Sequence, residues 1–75
     1  MRRNRPNDLT RHHRRPRSIG GTNTPSNISM VPRHQHEAWH ELFQNWDVHR
    51  IAKFINDRYL DSEYELVPVV RRHHA

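Results

Sequence analysis

Eight histidines stand in a chain of 75 residues that has no cysteine. Four of them sit where metal and proton chemistry would need them. His36 and His40 are four residues apart. On a helix that spacing puts both rings on one face, within reach of one ion. His12 and His13 are adjacent. In an extended segment, neighbouring side chains point to opposite sides. One ring can then ligate a metal while the other stays free as a base, provided the backbone bends enough to aim both at one substrate. With His12 as the third ligand, three imidazoles would leave a fourth position open. That is the mark of a catalytic metal rather than a closed structural one. The expected cofactor is one divalent ion: Zn, Mg, Mn or Ni. Three imidazoles favour a transition metal over Mg, which prefers oxygen ligands. Asn27 offers an amide that can fix a nearby histidine's tautomer and ring angle. Arg11, Arg14, Arg15 and Arg17 surround the histidine pair and suit forked hydrogen bonds to phosphate.

Composition narrows the classes. Without cysteine there are no disulfides, no cysteine-type zinc fingers and no iron–sulfur clusters. A chain this short buries little surface and is marginal without a bound metal or a partner. No apolar run approaches the roughly 20 residues needed to cross a membrane. No apolar region follows the basic start, so the expectation is a cytoplasmic protein with no membrane role. Charge is uneven. Residues 1–18 hold seven arginines against one acid, whereas the remainder holds six basic and seven acidic residues. A basic arm on a near-neutral body points to a polyanion, DNA first and RNA second. Phosphate contacts of this kind give affinity without sequence readout.

The elements that must position these residues follow from pattern. Residues 1–8 read as a flexible basic arm. Residues 9–14 suit a short extended stretch. Residues 19–26, with Gly20-Gly21 and Pro25, read as a loop. Residues 27–31 alternate polar and apolar, which predicts a half-buried strand ended by Pro32. Residues 34–45 predict a helix whose apolar face carries Ala38, Trp39, Leu42 and Phe43. Asp47 predicts the N-cap of a second helix ending near residues 60–62, with Val48, Ile51, Ala52, Phe54, Ile55 and Tyr59 on its apolar face. Residues 65–70 suggest an edge strand limited by Pro68, and 71–75 a frayed tail. Trp39, Trp46 and Phe43 read as core rather than as stacking platforms for bases. His34 is out of phase with His36 and His49 reads as surface, so neither is a ligand. Glu37 or Glu41 could be an outer partner of the histidines.

The ordered set of His12-His13, Pro16, Gly20-Gly21, Asn27 and His36-x-x-x-His40 resembles the HNH endonucleases, the ββα-metal or His-Me finger nucleases. It is most similar to the cysteine-free, histidine-rich form of the colicin-type DNases. The resembling stretch, His12 to His40, is about 40% of the chain. The resemblance implies an α+β fold: a two-stranded antiparallel hairpin and a helix pinching one divalent ion, here over residues 9–62 with the second amphipathic helix included. It implies His12, His36 and His40 as metal ligands, His13 as general base, and Asn27 as the residue that positions the base. It implies metal-assisted hydrolysis of DNA, leaving 5′-phosphate and 3′-hydroxyl ends. Many HNH proteins also carry paired CxxC zinc motifs, and this chain has none. A domain this small would carry little sequence readout. One active site would nick one strand, so a double cut would need a homodimer, a protein partner or two encounters.

Two other readings stand beside it. One is a catalytically silent HNH-derived protein that binds nucleic acid or a ribonucleoprotein and keeps a structural metal. The other is an interaction protein, such as an inhibitor of a nuclease, acting through residues 47–70. The intact pair His13 and Asn27 separates the enzyme from the binder, which has no need of either.

Overall fold

The computed structural model describes residues 8–72. The expected basic arm lies outside the described residues except for Asp8, and so do His73 and His74. Strand β1 (Leu9–His13) pairs antiparallel with β2 (Ile28–Pro32), and two helices follow, α1 (Arg33–Phe43) and α2 (Val48–Arg58). This is the small α+β hairpin-plus-helices fold read from the sequence. The register sets Thr10 opposite Val31, His12 opposite Ser29 and His13 opposite Ile28. Both ends of the hairpin are tied. Arg14 N–H donates to the Asn27 carbonyl at 2.8 Å, and Arg33 N–H donates to the Asp8 carbonyl at 3.2 Å. The Arg33 guanidinium also meets the Asp8 carboxylate at 3.2 Å.

The loop between the strands is ordered by two 3₁₀ turns, Arg17–Ile19 and Pro25–Asn27. Gly20 closes the first with a φ of 99°, a conformation that favours glycine. Gly21 N–H donates to the Pro16 carbonyl, and a side chain on Gly21 would strike the Arg15 carbonyl. The pair is therefore required for two different reasons, one conformational and one steric.

All four elements differ from expectation at a boundary, β1 by ending at His13 and not at residue 14. Asn27 belongs to the second 3₁₀ turn, so β2 starts one residue later and runs into Pro32. Helix α1 begins at Arg33 and stops at Phe43, because Gln44 adopts φ 51° and ψ −127°. The Trp46 N–H then reaches the Phe43 carbonyl at 3.0 Å, a tight turn that delivers Asp47 to cap α2. As expected, the Asp47 carboxylate accepts from Arg50 N–H at 2.9 Å. Helix α2 ends at Arg58, short of residues 60–62.

The edge strand expected over residues 65–70 does not form. The Asn56 side chain takes both backbone groups of Leu66, accepting from its N–H at 2.8 Å and donating to its carbonyl at 3.0 Å. That segment is anchored to a helix, not to the sheet. The core is minimal: among the described residues, Phe43 and Ala52 are the buried apolar side chains. Around Phe43 runs a string of edge-on rings, from Trp39 at 4.5 Å to Phe54 at 6.0 Å, and on from Phe54 to Trp46 at 5.3 Å. Val48 and Tyr59, at the two ends of the α2 stripe, are exposed. No described helix is long and apolar enough to cross a membrane.

Candidate functional site

Strand β1 and helix α1 each contribute to one cleft of about 340 Å³, lined by His12, His13, His36, His40, Arg11 and Arg17 with Trp39 beside them. His36 and His40 enter from adjacent turns of α1, with their Nε2 atoms 3.0 Å apart. His12 comes across from β1, its ring 5.2 Å from that of His36 and 6.0 Å from that of His40. One nitrogen from each of the three lies within 4.8 Å of the others. Two nitrogens on one tetrahedral zinc stand about 3.3 Å apart, so the helical pair is already near ligand spacing.

Thr10 sets the chemistry of His36. Its hydroxyl donates to the Val31 carbonyl at 3.1 Å and meets His36 Nδ1 at 2.7 Å. A hydroxyl has one proton, so here Nδ1 carries the hydrogen and donates it to Thr10. His36 Nε2 is left as a bare lone pair facing His40. This is the outer support that metal-bound histidines commonly have. The sequence reading looked to Glu37 or Glu41 for it. Glu37 instead acts on His36 through space, opposing the other influences on its pKa. Thr10 carried a signal that was missed: it lies two residues before His12, on the same face of β1.

Burial sets the charge state of two rings. His12 is held below the ordinary imidazole pKa, first by loss of solvent and then by the neighbouring His36 and His40. His36 is lowered by the same burial and by His40 and Arg33. Both are therefore neutral at neutral pH, the form that ligates. His12 Nδ1 is buried without a hydrogen-bond partner. An unpaired buried nitrogen costs stability until something binds it. Two neutral imidazoles, His12 with an unpaired nitrogen and His36 with its tautomer fixed, stand with the His40 ring as a set that fits a divalent ion accepting nitrogen ligands.

His13 lines the same cleft but stays outside the trio. Both adjacent histidines of β1 thus line one space, as the chemistry would require. His13 Nε2 lies 2.8 Å from Asn23 Oδ1. The amide oxygen accepts, so Nε2 carries a proton and, in the neutral ring, Nδ1 holds the lone pair. Asn23 was not singled out in the sequence, and a polar loop residue gives no signal there.

Asn27 acts one step away from the ring. Its Oδ1 accepts from Arg15 N–H at 2.8 Å, and its Nδ2 donates to the carbonyls of Arg15 at 3.1 Å and Thr22 at 2.8 Å. It fastens the two arms of the loop that carries Asn23. The four arginines divide. Arg11 and Arg17 line the histidine cleft, and Arg14 and Arg15 line a neighbouring groove.

Compared with family models, curated proteins and solved structures, the chain matches none. Its functional reading rests on its own residues and their geometry.

Proposed function

We propose that this chain is a metal-dependent endonuclease that hydrolyses DNA phosphodiester bonds, of the HNH type that its His12–His40 stretch resembles. The observation that supports it most is the shared cleft. A histidine with a free Nδ1 stands beside three histidines whose nitrogens converge. A merely structural clip has no use for His13 held in that way.

In this reading His13 Nδ1 removes a proton from the attacking water as general base. Asn23 keeps the proton on Nε2, so that the imidazole presents the basic nitrogen and accepts positive charge in place. Asn27 keeps the loop, and hence Asn23, in position. Arg11 and Arg17 pair with the phosphates on either side of the cut. His12, His36 and His40 would hold the divalent ion. When bound, the ion supplies Lewis-acid stabilisation of the charge that builds on the phosphate and on the leaving 3′ oxygen. A domain this small has little surface for reading base edges, so intrinsic sequence specificity is low and single-strand nicks are the basic product.

The experiment is nicking of supercoiled plasmid by purified protein with Mg²⁺, Mn²⁺, Ni²⁺ or Zn²⁺, each beside an EDTA control. Nicking that EDTA abolishes and added metal restores is the expected result. No cutting with any ion, together with salt-sensitive DNA binding, would overturn it in favour of a binding protein with a structural metal.

A further inference from the structure

The histidine cleft is not the end of the concave surface. A groove of about 470 Å³ adjoins it, and Pro16 and Trp39 line both spaces. Arg14 and Arg15 line the groove together with Trp46, from the turn before α2, and His49 of α2. Asp47, the acid among its lining residues, has an oxygen engaged by Arg50 N–H. The Arg50 guanidinium lies over the Trp46 ring, 4.2 Å from its centre, and covers one face of the indole; neither Arg50 nor Phe54 lines the groove. Arginines flanking an aromatic side chain, continuous with a phosphodiester-cutting site, are the parts of a single-strand track. Cations follow the backbone, and a ring takes a base by stacking whatever its sequence.

We propose that this groove holds the strand flanking the cut in unpaired form, with phosphates on Arg14 and Arg15 and a base against Trp46. The proposal rests on the nuclease reading of the cleft and names its substrate class: nucleic acid that is single-stranded on at least one side of the cut. A base inside a duplex is already stacked on both faces and cannot reach Trp46 without leaving the helix. Trp46 therefore works as more than packing for Phe54.

The test uses binding, so that it does not depend on cutting. The protein is the full chain carrying His13→Ala and Trp39→Phe, in which Trp46 is the remaining tryptophan of the two. The probes are a twelve-nucleotide single strand and the duplex of the same sequence. The single strand is expected to quench Trp46 emission, and the duplex to quench it far less. Trp46→Ala in the His13→Ala protein is expected to weaken single-strand affinity between about fivefold and about a hundredfold. Replacing Arg14 and Arg15 with alanine is expected to lower the salt slope of single-strand binding by about 1.4. If circular dichroism shows that Trp39→Phe does not fold, the difference in quench between His13→Ala and His13→Ala/Trp46→Phe reads the same contact. Equal quench by strand and duplex, or single-strand binding with silent Trp46 and an unchanged salt slope, overturns the proposal. Plasmid nicking by the protein that keeps His13, with Trp46 silent in the binding test, overturns this inference alone. Quench in the binding test, with no nicking by the protein that keeps His13 under any of the four ions, overturns the nuclease reading alone.

Discussion

Two regions of the molecule are held by different forces. From Asp8 to the end of α1, polar contacts set the geometry: Asp8 with Arg33, Thr10 with His36, Asn23 with His13, and Asn27 with the loop backbone. From Trp46 to Leu66 the contacts are chiefly aromatic and apolar, with Phe54 meeting Phe43, Trp46 and Tyr59. The first region carries the candidate chemistry and has little core of its own. The second carries no site ligand, yet its Phe54 ring meets Phe43 at 6.0 Å, and its Ala52 is buried as Phe43 is. Hydrogen bonds can aim side chains, but each adds only about 1 kcal/mol net. Apolar burial is not directional, yet it supplies most of the stability. In this chain, aim and stability come from separate parts.

The largest expected effect removes the joint between them. Phe43→Ala should cost about 3–5 kcal/mol, against a total of about 4–11 kcal/mol for a chain of this size. Both regions should then melt together in a thermal scan followed by circular dichroism. Loss of the helices with the hairpin's amide signals intact would show that the first region stands alone.

Metal comes next. Zn²⁺ at a hundred times its Kd should add about 2.7 kcal/mol, read as a rise in Tm that EDTA reverses and His40→Ala abolishes. The lowered pKa values of His12 and His36 fix its pH dependence. The folded state takes up those protons less readily than the unfolded chain. Their contribution is complete above about pH 6.5 and is lost as the pH falls from there through the lowered values. Protons and metal compete for the same nitrogens, so the rise in Tm should fade over the same range. A metal effect that is constant down to pH 4 would argue for carboxylate ligands.

Gly21→Ala should disturb the first region alone. The added Cβ meets the Arg15 carbonyl, which must move. A strain of about 1–3 kcal/mol is expected, with amide shifts concentrated in residues 14–27. Equal shifts across α2 would mean that the two regions are less separable than the contacts indicate. Gln44→Gly should sharpen the comparison from the other side. Gln44 holds a positive φ in the turn between the helices, and glycine there should raise stability by about 1 kcal/mol. Metal affinity should not change, and a changed affinity would tie the turn to the site.

The part of this that was legible in sequence follows periodicity and spacing. The His36/His40 spacing and the Asp47 cap are local patterns, and local geometry realises them; of the expected apolar faces, Trp39 and Phe43 of α1 and the middle of the α2 stripe turn inward, whereas Ala38, Leu42, Val48 and Tyr59 are exposed. The cleft shared by His12 and His13 was stated only as a condition, because the space a ring lines is not written in two adjacent letters. Thr10 and Asn23 were missed because their partners lie 26 and 10 residues away. The strand expected over residues 65–70 failed for a similar reason. The segment read as an edge strand, but Asn56, ten residues before Leu66, decided what it pairs with. Trp46 was read as core from its type; it is half-buried and packs against Phe54, and that it also lines a groove with Arg14 and Arg15 is not visible in local pattern.

The most direct measurement is the nicking rate of His13→Ala at saturating metal, with metal affinity measured on the same preparation. As general base, His13 should account for a drop of about 10²-fold or more, while metal affinity stays within about twofold of the wild type, since His13 is outside the ligand trio. A variant that nicks at the wild-type rate would contradict the assignment of the base. A variant that no longer binds metal would make His13 a ligand and break the division of roles among the four histidines.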